Sequence, residues 1–225
     1  MKVIKIGARP SKLSLKQVEE VIEKLRSLTK VSYTFEIKTY KTTGDIDKET
    51  SISEIEGSDF FTDTIEKALL NNEIDVAVHS AKDLPDVIPK GLKIVAITKS
   101  LNPFDSLVVR EELKKFGSLD KLPKGAKVGA SSIRRKEALR KYRDDLIIKD
   151  IRGNIDERLE KLDKGEYDGI IVAACALIRL RLENRISQII PFDIVQPHPL
   201  QGCLAIETRE DDYEIEQIFS KLNSI

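Results

Sequence analysis

Apolar residues along this chain alternate between short unbroken runs and longer stretches in which they recur every three or four positions. Residues 3–7 read as a strand, and Leu15, Val18, Ile22 and Leu25 mark residues 13–28 as a helix with Ser11 at its N-cap. Residues 32–40 alternate as a strand, 62–70 are helical, and 74–79 and 92–98 are apolar enough for buried strands. A polar segment over 99–105, with Pro103, ends this series. A second follows: strand 127–130, helix 134–143, strand 146–151, helix 155–164, strand 167–174 and helix 176–182. Pro191, Pro197 and Pro199 then interrupt regular structure, and strand 203–208 leads into an amphipathic helix over 213–222. Such alternation predicts α/β class, with βαβ units around parallel sheets. The expected organisation is one lobe of residues 1–98 plus 201–225 and a second of 103–196. Two crossings would form a double hinge, with a ligand cleft between the lobes.

Composition narrows the partners. Lys plus Arg equals Asp plus Glu at 38 each, so no global positive field exists to attract duplex nucleic acid or an anionic membrane. Aromatics make up 5% of the chain and Trp is absent, which leaves little equipment for stacking on single-stranded bases. No apolar stretch is long enough to span a membrane and no secretory leader precedes the first strand, so the expected address is cytoplasmic. With only His79 and His198, a histidine-based metal site is not expected. His79 lies in an apolar strand and reads as a core residue. Any anion site must be local.

Three local seats stand out, each where a strand gives way to a helix whose unpaired amides and dipole favour negative charge. They are Ala8-Arg9-Pro10-Ser11, Gly129-Ala130-Ser131-Ser132-Ile133-Arg134-Arg135, and Ile151-Arg152-Gly153-Asn154 with Arg158 one turn on. Each alone reads equally as a helix cap beside a solvated arginine. Three at equivalent strand ends suggest a ligand with several carboxylates, which guanidinium forks bind in pairs. No glycine-rich phosphate loop is present. A fourth stretch, Val76 to Pro85, runs a buried strand directly into adjacent Lys82 and Asp83, a candidate catalytic pair.

His79-Ser80-Ala81-Lys82-Asp83-Leu84-Pro85 closely resembles the HSxKDxP signature of the porphobilinogen deaminase (hydroxymethylbilane synthase) family. Thr43-Gly44-Asp45, the second and third seats, Leu162-Asp163-Lys164-Gly165-Glu166-Tyr167-Asp168 and Gln201-Gly202 follow in the family's order. The resemblance covers essentially the whole chain. It implies a fold of two βαβ lobes with a double-hinge crossover, of the type II periplasmic-binding-protein kind. It implies a transferase that condenses porphobilinogen units, each losing ammonia, onto a dipyrromethane cofactor to give hydroxymethylbilane. Asp83 would then stabilise the cationic azafulvene formed as ammonia leaves. Lys82, Arg9, Ser11, Arg134, Arg135, Arg152, Arg158 and Arg179 would hold the acetate and propionate groups, supported by Gln17, Ser80, Ser131, Ser132 and the backbone at Gly153.

The sequence also departs from the family pattern. A third, C-terminal domain whose cysteine anchors dipyrromethane would begin beyond Ile225, and neither Cys175 nor Cys203 matches that anchor. Both cysteines are expected to be buried packing residues. Of the two, Cys203 is better placed to substitute. The implied arrangement is a two-domain chain whose third domain is either supplied by a separate chain as partner or lost. Glu54 and Ser58 stand where the family usually carries lysines, Ala130 replaces a usual Thr, and Arg181 a usual Gly. The alternative reading is a non-catalytic two-lobed protein that binds a pyrrole, tetrapyrrole or other polycarboxylate.

Overall fold

The computed structural model describes residues 3–29, 33–47, 50 and 57–224, and the two series of elements fold as two five-stranded sheets. In the first, β1 (Val3–Ala8) leads into α1 (Lys12–Leu28), which buries Val18, Val21, Ile22 and Leu25 as one face. β2 (Thr34–Thr39) pairs parallel with β1 along its length. The single turn α2 (Thr43–Ile46) and α3 (Asp63–Leu70) precede β3 (Val76–Ser80), parallel to the other side of β1. A 3₁₀ turn, Ala81–Asp83, follows at once, and β4 (Leu92–Ile97) comes after it.

The second series begins with β5 (Asp105–Val109), buried at every position. It continues with β6 (Lys127–Gly129), α4 (Ile133–Tyr142), β7 (Ile147–Lys149), α5 (Ile155–Asp163), β8 (Gly169–Ala173), α6 (Ala174–Arg179) and β9 (Gln188–Ile190). The chain closes with β10 (Leu204–Arg209) and α7 (Tyr213–Phe219).

The strand orders are β2-β1-β3-β10-β4 and β7-β6-β8-β5-β9. Both sheets are mixed, parallel βαβ units with one reversed strand added in each. β10 runs antiparallel between β3 and β4, and β5 antiparallel between β8 and β9. In each sheet the reversed strand is the one the chain forms on arriving from the other series. The chain accordingly divides into two compact units, one of Met1–Asp47, Gly57–Leu101 and Gly202–Ile225, the other built around Asn102–Gln201.

Each sheet buries an apolar cluster on both faces. In the first unit Ile4, Ile6, Val18, Leu25, Ile206 and Phe219 pack on one side, and Ile65, Leu69, Ile74 and Leu92 on the other. In the second, Leu107, Val128, Leu139 and Ile171 oppose Val108, Leu159, Ile170 and Leu177. Strands covered on both faces carry no polar alternation, which is why β3 and β8 read as largely apolar runs. Among the described residues no helix is long and apolar enough to cross a membrane.

Candidate functional site

The C-terminal end of β3 carries the strongest chemistry of the first unit. Parallel strands place their loops at this end, so the 3₁₀ turn holding Lys82 and Asp83 lies near the start of α1, which follows the neighbouring parallel strand β1. The Ala81 N–H donates to the Cys203 carbonyl at 3.1 Å, tying the turn to the start of β10. A depression here is lined by Arg9, Ser11, Gln17, Phe61, His79, Ser80 and Asp83, among others. Gln17, buried in α1, donates from Nε2 to Ser80 Oγ at 2.8 Å and so links helix to strand.

Arg9 is not a loose cation in this wall. Its Nε and Nη2 grip the Asp45 carboxylate, at 2.5 Å for the shortest contact, and the guanidinium carbon sits 4.8 Å from the Phe61 ring centroid. Burial alone would raise the Asp45 carboxyl. The Arg9 charge and hydrogen bonds, with the Thr42 N–H and hydroxyl, outweigh it and hold the carboxyl below its ordinary range. Gly44 is required beside this pair, because a Cβ there would come within 2.3 Å of Phe61.

The remaining predicted residues belong to the second unit. Ser132 caps α4 by accepting from the Arg135 N–H at 3.4 Å, while Ser131 donates to the Ile151 carbonyl at 2.8 Å. Arg134 and Arg135 both reach Asp105, whose side chain is fully buried. Arg135 Nη2 meets one carboxylate oxygen at 2.5 Å, and Arg134 meets the other at 3.2 Å and also donates to the Gln196 carbonyl. Gln201 completes the cluster, donating to Asp105 at 2.9 Å and to the Pro103 carbonyl at 2.7 Å. Gly153 adopts φ +107, and Asn154 caps α5 in a reciprocal box with Glu157. Arg158 Nε donates to the Gly153 carbonyl at 2.7 Å; Arg152 and Arg179 are buried.

The three helix starts therefore differ from bare anion seats. Ser11, Ser132 and Asn154 each take one amide for capping, and Glu157 adds its own carboxylate at the start of α5. What remains for a ligand is chiefly side-chain chemistry, hydroxyls and guanidinium edges; the Nε of Arg135 is buried and has no hydrogen-bond partner among the described residues. In each unit taken by itself, such donors suit carboxylate groups. Both cysteines are buried, each 5% exposed. Sequence reasoning gave no role to Asp45, Asp105 or Glu207, and assigned His79 to the core. Only Asp45 had a signal, its place in Thr43-Gly44-Asp45. Glu54 lies outside the described residues.

Residues 4–217 match the family model described as porphobilinogen deaminase, dipyromethane cofactor binding domain. Porphobilinogen deaminase of Deinococcus radiodurans is 45% identical over 223 residues, covering 98% of this chain and 71% of the relative. That of Francisella tularensis subsp. novicida is 44% identical, covering 99% and 72%. Among solved structures, a putative methionine-binding lipoprotein from Bacillus subtilis aligns with TM-score 0.56 at 13% identity, over 99% of this chain and 91% of its own. The Bordetella pertussis BvgS periplasmic VFT2 domain aligns with TM-score 0.54 at 15% identity, over 98% and 86%. These two likenesses concern the fold, which is α/β of the type II periplasmic-binding-protein kind.

Proposed function

This chain belongs to the porphobilinogen deaminase family, and from that premise we propose that it condenses porphobilinogen units into the linear tetrapyrrole hydroxymethylbilane with release of ammonia. It is a transferase of that type, and dipyrromethane is its expected cofactor. The observation that carries the proposal is the placing of Asp83 in one pocket with Arg9, Ser11, Gln17 and Ser80.

Porphobilinogen carries an acetate and a propionate, an aminomethyl group and a pyrrole N–H. Loss of ammonia leaves a delocalised cation on the ring. A carboxylate fixed beside it stabilises that charge more in the transition state than in the ground state, where the ring is neutral. Asp83 is the carboxylate in this role, held on a 3₁₀ turn rather than a free loop. Lys82 and Arg9 bind and orient acidic side chains in the first unit. Arg134, Arg135, Arg152, Arg158 and Arg179 do so in the second, with Ser131 and Ser132 supporting. Dipyrromethane, when bound, supplies the pyrrole carbon on which the chain is built, and its carboxylates would be held by the guanidinium groups of the second unit.

The test is incubation of the purified protein with porphobilinogen, reading ammonia release and intact mass together. Ammonia release with consumption of porphobilinogen is expected, and a covalently held pyrrole chain would add mass in whole pyrrole units. Unchanged mass with no porphobilinogen consumed would overturn the proposal.

A further inference from the structure

One buried polar cluster of the first unit has no part in that scheme. His79 Nε2 lies 3.0 Å from Glu207 Oε2, with side chains only 3% and 0% exposed. The two residues face each other diagonally across β3 and β10, where Ala205 pairs with His79 and Glu207 with Ala77. Glu66, buried on α3, is close enough to feel the charge of Glu207. Glu66 Oε1 and Glu207 Oε1 have no hydrogen-bond partner among the described residues. Among those residues, no three His, Cys, Asp or Glu side chains are grouped so as to hold a metal ion.

A core histidine needs no acid beneath it, and a buried carboxylate is costly unless it serves a partner. His79 is also not enclosed by the core: it lines the pocket beside Ser80 and Asp83. With Nε2 engaged by Glu207, Nδ1 is the ring nitrogen left for whatever the pocket holds. A carboxylate only accepts, so Nε2 must carry the proton and Nδ1 must be the acceptor in a neutral ring. The other wall groups include a carboxylate, Asp83, and a guanidinium already gripped by Asp45.

We propose that His79 is a ligand-binding residue of the Asp83 pocket, accepting a hydrogen bond at Nδ1 from an N–H of the substrate, and that Glu207 is the positioning residue that fixes the required tautomer. This rests on the reading that the pocket takes porphobilinogen, whose pyrrole and aminomethyl nitrogens are its N–H donors. Glu66 stands behind Glu207: burial, together with the charge of Glu207, pushes the Glu66 carboxyl above the ordinary range.

Two substitutions separate this role from simple packing. His79→Asn keeps an amide oxygen near the position of Nδ1 and gives up Glu207; His79→Gln reaches toward Glu207 and gives up Nδ1. The inference expects porphobilinogen affinity to fall about tenfold or more in His79→Gln and to stay clearly higher in His79→Asn. The reverse order overturns it. A measurement on the unmodified chain stands beside these: the chain has two histidines, so ¹⁵N-histidine NMR gives two ring systems, assigned with His198→Gln. The expected result is the Nε2–H tautomer at His79, with its Nδ1 resonance moving when porphobilinogen is added. An Nδ1–H tautomer, or an Nδ1 resonance unmoved while porphobilinogen saturates the protein, overturns it. If porphobilinogen neither binds nor is consumed, the proposed function falls, and the tautomer alone then decides for or against the acceptor assignment.

Discussion

Replacing Asp105 with Asn should unsettle the second unit far more than the loss of one surface ion pair would. The Asp105 side chain is fully buried, and its two oxygens accept from Arg135, Gln201 and Arg134. The Arg135 side chain is itself only 6% exposed, so removing the carboxylate charge strands a buried guanidinium and points an amide NH₂ at other donors. Breaking a buried pair by removing one partner typically costs about 3–5 kcal/mol, against at most about 1 kcal/mol for an exposed pair. For a chain of this length each kcal/mol lowers the melting temperature by roughly 2–4 °C, so the expected fall is about 6–20 °C. The loss should be local. Hydrogen exchange would quicken in β5, β8 and β9 while β1 and β3 keep their protection. Thermal unfolding followed by calorimetry, with exchange read by mass spectrometry, checks both parts. A shift under about 2 °C, or equal loosening of both sheets, would refute the reasoning that Asp105 neutralises a buried cation.

Further outcomes follow from other positions. Glu66 has a raised folded-state value, so its contribution to stability is full below the ordinary carboxylate range and is lost as pH rises through that raised value. Glu66→Gln should remove this decline and add on the order of 1 kcal/mol near neutral pH, measured by urea unfolding across pH 5–8. A variant less stable than the parent at pH 8 would contradict it. Arg181 adopts φ +58, a left-handed conformation that costs a side-chain-bearing residue about 1–2 kcal/mol. Arg181→Gly should therefore stabilise the protein by about 1 kcal/mol in the same assay, and destabilisation would show that the Arg181 side chain makes contacts that matter more. Gly153→Ala should do the opposite. Its φ is +107, and a Cβ would meet Glu157 Oε2 at 2.7 Å, so a loss of about 1–2 kcal/mol is expected and an unchanged midpoint would contradict the capping geometry.

Much of the fold was legible because strand and helix periods differ and because caps mark helix starts. Ser11, Ser132 and Asn154 stand where the helices begin. β5 was not legible. It opens with Asp105 and Ser106, two polar residues that read as loop and are buried only because Arg134, Arg135, Gln201 and the Val172 carbonyl satisfy them from distant parts of the sequence. β9, three residues long, is too short to carry a period. The reversal of β5 and β10 is likewise a matter of tertiary order, which local pattern does not encode.

The candidate site shows the same division. Lys82-Asp83 was legible as an acid and a lysine at the end of an apolar strand. The partners that modify the predicted cations, Asp45 on Arg9 and Asp105 on Arg134 and Arg135, lie 36, 29 and 30 positions away in sequence. Glu157 was within reach, since Asn154 and a glutamate three residues on spell a capping box. That signature argued for internal capping of α5 as strongly as its arginines argued for an anion.

If the pocket holding Asp83 performs the chemistry, Asp83→Ala removes the group on which it depends. The measurement is porphobilinogen turnover and porphobilinogen binding on the same preparation. Turnover should fall by about 10²-fold or more while affinity stays nearly unchanged, because the carboxylate acts on charge that develops only as ammonia leaves. Equal losses in binding and turnover, or turnover at the parent rate, would contradict the account.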